Sequence, residues 1–362
     1  MASPPGKSRR EILKGAASTA LAVSFTNLAA CFPDVGGTWP ASQPLDEQEP
    51  RCDDDGPAAV ESATVVDVHR EDSVVETTHT NSVATLDTQY EVVAAMVDEA
   101  LSILAGEAAN PWPTLLPTYR PGMRIGLKVN CLNMRLPTSP AVIRAIIANL
   151  KTHLLIDPAN IVVWDRRLDE LVDTGKYTDE DLQGATLLGT VRSFDDPSGP
   201  GYSSTFCGAV EGATPRLSRI LTQLTDLTIN CPVLKTHIVS GVTAGLKNIY
   251  GIIDNPGMYH TNLLTALPAL YRLPPIRKHL QLTIVDALRC VTLGGTDSAP
   301  DTTARRIFVG RDPLAVDRYA LDLVNSLRHT RKKDPVDPSL TGWINRAFEL
   351  GLGAQSYDLI QR

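Results

Sequence analysis

Five short apolar runs dominate the sequence, and each ends in charge or an amide: RIGLKVN at Arg124–Asn130, IVVWDRR at Ile161–Arg167, LTDLTINCPVLK at Leu224–Lys235, LTIVDALR at Leu282–Arg289 and RIFVGRD at Arg306–Asp312. Runs of this length and apolar density are buried strands. Helical periods separate them. Val93, Met96, Val97, Ala100, Leu101 and Leu104 recur at helical spacing behind a Thr88/Glu91 pair with capping-box spacing. Ser139-Pro140 opens a second helix to about Leu150, and Pro313 opens another to about Ser326. Such alternation predicts an α/β fold, a mostly parallel sheet with helices on both faces, in a single large domain over residues 87–362. Neither G-x-G-x-x-G nor G-x-x-x-x-G-K-[ST] follows any of these strands, so the common nucleotide fingerprints are missing from the sequence.

The chain before that domain reads as processing signal and spacer. Ser8-Arg9-Arg10, with Ile12, Leu13 and Lys14, matches the twin-arginine export pattern, which makes the twin-arginine translocase an expected partner. Residues 16–30 are too short and too polar to span a bilayer, which takes about 20 apolar residues. Leu28-Ala29-Ala30-Cys31 resembles a lipoprotein cleavage site, so Cys31 is the expected lipidation site and residues 1–30 the leader. A protein so processed is exported and held to the membrane by its lipid, facing the periplasm or cell surface. That route carries folded proteins, which favours a cofactor or metal ion inserted in the cytoplasm. Residues 31–86, with DEQEPRCDDDG at Asp46–Gly56, are expected to form an acidic flexible tether with a short strand at 63–68. The 34 Lys and Arg against 41 Asp and Glu give a net charge of −7, which argues against a general nucleic-acid binder. Cys131, Cys207, Cys231 and Cys290 are widely spaced and form no C-x-x-C, so no zinc ribbon or ferredoxin-type cluster is signalled.

Ligands of open parallel sheets bind beyond the carboxyl ends of the strands. This gives Lys128, Asn130, Asp165, Arg166, Lys235, His237, Asp286 and Asp312 a common expected address. CPVLKTHIVSGVTAGLKNIYG, residues 231–251, carries the densest chemistry. Ser240 is placed to cap a helix whose apolar stripe is Val242, Leu246 and Ile249, with Gly241, Gly245 and Asn248 on a neighbouring stripe and Lys247 on a third. The free N–H groups of that helix end, beside Lys235, His237 and Lys247, would make an anion pocket. His237 is a candidate acid/base or metal ligand, since imidazole titrates near neutrality. The following loop adds Asn255 and His260, and His237, His260 and Asp286 are a candidate nitrogen–oxygen metal site.

The run INCPVLKTHIVSGVTAGLKNIYGIIDNPGMYH, with GLKVNCL, VVWDR, LPPIR, VDALR, GGT and DPLAVDR, resembles the domain-of-unknown-function 362 family in its twin-arginine-exported bacterial form. The resemblance marks Lys128, Asn130, Asp165, Arg166, Lys235, His237, Gly241, Lys247, Asn248, Asn255, His260, Asp286, Asp312 and Asp317 as motif positions, with no reaction attached. Some members carry a fused ferredoxin-type module, which implies an iron–sulfur or redox association; the cysteine run is missing here.

Three functional readings follow. The first is a cofactor- or metal-assisted enzyme of redox or proton-transfer type acting on a small anionic substrate, with His237, Lys235 and Asp286 catalytic and Lys128, Asn130, Asp165, Arg166, Gly241, Lys247, Asn248 and Asn255 binding the substrate. The others are a lipid-tethered binding protein for an anionic ligand, and a maturation factor for a redox complex.

Overall fold

A computed structural model describes residues 60–78, 84–204 and 208–362. The twin-arginine leader, Cys31 and the acidic stretch before Val60 lie outside the described residues. The described strands are β1 (Ser62–His69), β2 (Val74–Thr78), β3 (Ala84–Thr88), β4 (Ile125–Lys128), β5 (Ile161–Arg167), β6 (Thr186–Val191), β7 (Leu227–Asn230), β8 (Val233–His237), β9 (Gly241–Thr243), β10 (Leu280–Val291), β11 (Thr302–Gly310) and β12 (Ser356–Gln361).

Ten of them form one sheet, ordered β12-β1-β11-β10-β7-β4-β5-β6, with β8 on β10 and β9 on β8. Neighbours from β10 through β7, β4 and β5 to β6 are parallel, as are β1 and β12; β11 runs against both β10 and β1. Successive side chains of a strand point to opposite faces, and β5 displays this cleanly. Val162 and Trp164 enter one apolar core, Ile161 and Val163 the other. The first core is closed by the helices Leu263–Tyr271, Pro313–Thr330 and Pro338–Glu349. The second is closed by Tyr90–Leu104 and Pro140–Asn149. The α/β sheet covered on both faces is therefore as expected from the apolar runs.

Three expectations are corrected. The tether expected over 31–86 ends earlier, because β1 lies within the sheet between β11 and β12, with Val65, Val66 and Val68 fully buried. Its run of valines made β1 legible as a strand; its two long-range partners made it part of the core. The Thr88 capping box does not form: Thr88 ends β3, and the helix starts at Tyr90 after Gln89.

The helix expected after Ser240 is replaced by a hairpin. Gly241 has φ +72°, a left-handed conformation that glycine adopts without strain. A Cβ there would lie 2.5 Å from the Thr341 side chain. The chain reverses at this point, and β9 pairs antiparallel with β8, Lys235 opposite Thr243. The Asp317 carboxylate then accepts the N–H groups of Gly245 (2.7 Å) and Leu246 (2.8 Å), and a 3-10 segment follows over Leu246–Ile252. Val242, Leu246 and Ile249 are all buried without being a helical stripe. The proposed helix N-terminal anion site is accordingly absent from this segment.

Candidate functional site: a cationic pocket at the strand ends

The parallel strands bring β4 and β5 to one edge in register, with Lys128 opposite Trp164 and one residue short of Asp165. Lys128 is buried, and its ammonium donates to Asp165 Oδ1 (2.7 Å) and to the Val129 carbonyl (2.8 Å). Asp165 also accepts the N–H groups of Cys131 and Arg166, both at 2.7–2.8 Å. This ion pair is thus compensated on both sides, the condition for a buried pair to persist. Gly251 of the 3-10 segment presses on it so closely that a Cβ would sit 2.7 Å from Lys128 Nζ.

Pro232 interrupts the next strand. β7 stops at Asn230 beside Lys128, while β8 continues between β10 and β9 and carries Lys235 and His237 outward. Lys235 Nζ donates to Asn130 Oδ1 (2.6 Å), Asn130 to Asn248 Oδ1 (3.0 Å), Asn248 to Asn230 Oδ1 (2.8 Å) and Asn230 to the Gly245 carbonyl (2.8 Å). Each amide in that relay is fixed by its two neighbours, so Lys235 is held rigidly.

On the 3-10 segment, Lys247 Nζ lies 3.9 Å from the Tyr250 ring centre, a cation–π distance, and 3.3 Å from His260 Nε2. His260 Nδ1 sits 2.8 Å from the Pro256 carbonyl, which can only accept, so the ring proton is on Nδ1 and Nε2 offers a lone pair to Lys247. His237 has the reverse arrangement. The Val239 and Ser240 N–H groups both donate to its Nδ1, at 3.0 and 3.1 Å, leaving the neutral ring protonated on Nε2. The two imidazoles stack with centroids 5.6 Å apart.

These groups enclose a cavity of about 240 Å³, with Asn130, Asp165, Arg166, Asn248, Glu170 and Thr243 also in its lining. Burial, countered by Asp165, pushes Lys235 down to about 8. Burial, reinforced by Lys235, pushes Lys247 down to about 7. Burial and then the nearby Lys247 bring His237 down to about 3, which keeps it neutral and a hydrogen-bond donor at physiological pH. Burial and Asp165 raise Glu170 to about 7, despite its ion pair with Arg167.

Several sequence candidates lie elsewhere. Asp286 is in the middle of β10, outside the cavity lining, where it accepts the N–H groups of Ser139 and Leu288 and so holds the start of the helix Pro140–Asn149. Asp312 lies at the opposite edge of the sheet, because β11 is antiparallel; it caps the helix Pro313–Thr330 through Leu314 and Ala315. Gly241 is a turn residue, and Asn255 is exposed outside the cavity lining. The metal triad is therefore not assembled. His237 also does not fit a metal through Nε2, since two N–H groups already occupy Nδ1, and His260 Nε2 faces the Lys247 amine. Among the described residues no group of three His, Cys, Asp or Glu side chains is placed to hold a metal ion.

Sequence reasoning missed Glu170 and the role of Thr243. The Thr243 hydroxyl is buried in the lining with no hydrogen-bond partner among the described residues. Its position opposite Lys235 depends on the hairpin, which only the left-handed glycine could have signalled.

An α/β sheet whose carboxyl-end cavity is lined by buried lysines and fixed amides defines the class of this protein. The chain belongs to the family described as Domain of unknown function (DUF362), whose model matches residues 125–322 and so spans β4 through most of the helix after β11. No curated protein matches. Among solved structures, a Thermotoga maritima protein determined by the Northeast Structural Genomics Consortium aligns at 13% identity and a TM-score of 0.35, over 73% of this chain and 59% of its own length.

Proposed function

We propose that this protein is an enzyme that binds a small anionic substrate in the strand-end cavity and transfers a proton on it. One observation carries the reading: the Lys235 and Lys247 amines share a single small cavity, both buried, and neither has a carboxylate of a described residue within the 4.0 Å ion-pair distance. Buried charge without a partner is costly, and an anion arriving there relieves that cost. About 240 Å³ suits a compact carboxylate or phosphate rather than a drug-sized ligand. Lys247 and Glu170 both titrate near neutrality, the range in which a group gives and takes protons efficiently. His237, fixed as an Nε2–H donor, can polarise a substrate oxygen without being charged.

The test is solvent deuterium incorporation into small carboxylates, followed by proton NMR, for the parent protein and Lys247→Met. Exchange at a substrate carbon that disappears in the variant supports the enzyme. Lys235-dependent binding of carboxylates with no exchange would instead make the protein an anion-binding module. Co-purification of one stoichiometric partner would favour a maturation role.

The export reading is part of the same proposal. The twin-arginine pattern and Leu28-Ala29-Ala30-Cys31 support a lipid-anchored envelope protein, and no helix among the described residues is long and apolar enough to cross a membrane. Labelling with a radioactive fatty acid, abolished by Cys31→Ala, is the expected result; an unlabelled parent protein removes the anchor.

A further inference from the structure

We propose that Lys247 is a covalent catalytic residue, which condenses through its amine with the carbonyl carbon of a small 2-oxo carboxylate. The proposal rests on the anion-pocket reading and specifies what the substrate carries besides its charge.

Three independent features of the cavity converge on this step. An amine can attack a carbonyl only when it is neutral, and Lys247 is buried against the Tyr250 ring with no carboxylate beside it to hold the proton on. Its hydrogen-bond neighbour at 3.3 Å is the lone pair of His260 Nε2, an acceptor fixed in that state by the bond from Nδ1–H to the Pro256 carbonyl. His260 is therefore the group that takes the ammonium proton. In the same cavity lining, Lys235 supplies the fixed charge for a carboxylate, and the unpartnered Thr243 hydroxyl lies opposite it on the hairpin, free to donate to the same group. The lining holds two unlike pairs: a rigid cation with a spare hydroxyl, and an amine with a base. A molecule with a carboxylate next to a carbonyl carries both complementary groups on adjacent carbons.

The step balances without an external oxidant. The Lys247 nitrogen lone pair forms the C–N bond as the carbonyl π pair moves to oxygen, which His237 Nε2–H stabilises by a hydrogen bond and solvent protonates. The nitrogen proton passes to His260. His260 returns that proton to the hydroxyl, which departs as water as the C–O bond breaks and the nitrogen lone pair closes the C=N bond, leaving an iminium whose positive charge acidifies the neighbouring C–H. That acidification is the means by which the site would achieve the proton transfer proposed above.

The full-length protein is incubated with pyruvate and sodium cyanoborohydride, and the reduced adduct is located by peptide mass spectrometry. Lactate, which has the carboxylate and lacks the carbonyl, serves as the binding comparison. The expected result is one adduct, on Lys247, absent in Lys247→Arg. With a folded value about 7 against the ordinary 10.5, the neutral fraction at neutral pH exceeds that of a solvated lysine by on the order of a thousandfold, so labelling elsewhere stays minor. The position of the label in the parent protein is itself decisive, so a variant that fails to fold does not remove the test. Pyruvate and lactate binding in a Lys235-dependent manner with no adduct, or with the adduct on another lysine, overturns the covalent step and leaves the anion pocket standing. Failure of both to bind overturns the two together.

Discussion

Lys128 and Lys247 are both buried lysines lining one cavity, yet their surroundings oppose each other. Lys128, on the floor made by β4 and β5, meets Asp165 at 2.7 Å, and that carboxylate is in turn held by two backbone N–H groups. Lys247, on the wall made by the 3-10 segment, meets an imidazole lone pair and a phenol ring. The floor is therefore built for stability and the wall for reactivity. Low polarity strengthens a compensated pair and penalises a lone charge, so the same burial accompanies a hydrogen-bonded ion pair in one place and a neutralisable amine in the other.

The comparison breaks most visibly at the floor. Lys128→Ala leaves Asp165 buried without its cation and is expected to cost about 3–5 kcal/mol of unfolding free energy, measured by denaturant titration. A loss below about 1 kcal/mol would show that the pair is not the structural element described.

Lys247→Met should do the opposite and stabilise the protein by about 1–4 kcal/mol at neutral pH. The sign follows from the lowered folded value. Between 10.5 and about 7 the unfolded chain binds a proton that the folded protein refuses, so stability falls as pH drops through that window, and the penalty is complete below about 7. The gain from methionine should hence be largest below neutrality and fade toward pH 10.5, a trend readable in thermal melts across pH. A gain independent of pH would point to packing instead of charge.

Gly241→Ala tests the hairpin that sets Thr243 opposite Lys235. A left-handed alanine costs roughly 1–2 kcal/mol, and the Thr341 and Val336 methyl groups must also move. Smallest in stability is Thr243→Val, which removes an unpartnered buried hydroxyl and should change unfolding free energy by under about 1 kcal/mol. In affinity for pyruvate or lactate, however, it should lose about fivefold to tenfold, seen by calorimetry. Unchanged affinity would remove Thr243 from the ligand.

Anion binding as a whole should strengthen as pH falls through about 8 and 7, where Lys235 and Lys247 gain their protons. Covalent capture should move the other way. Measuring both on one protein separates the two uses of the wall.

Much of this was readable from the chain alone. The run Ile161–Arg167 is β5 residue for residue, and Lys128, Asn130, Asp165, Arg166, Lys235, His237, Lys247, Asn248 and His260 do converge on one cavity. The failures are instructive because they share a cause. Asp312 follows an apolar strand much as Lys128 closes one, but β11 runs the other way and carries it to the far edge. Asp286 follows an apolar strand core and so reads as a ligand, yet its carboxylate is consumed by two backbone N–H groups. Val242, Leu246 and Ile249 fit a helical stripe and are buried, but in a hairpin and a 3-10 segment.

By itself, the sequence determined the alternation of strands and helices, the residue types gathered at strand ends and, at Gly241, a residue that can take a left-handed turn without strain. Those follow from local physics, since periodicity, side-chain volume and glycine's missing Cβ act within a few residues. Strand direction, and which amine meets which carboxylate, were decided only by tertiary structure. They depend on groups far apart in the chain, as Lys128 and Asp165 are, and on whether burial comes with a partner. That difference makes one lysine a strut and another a candidate nucleophile.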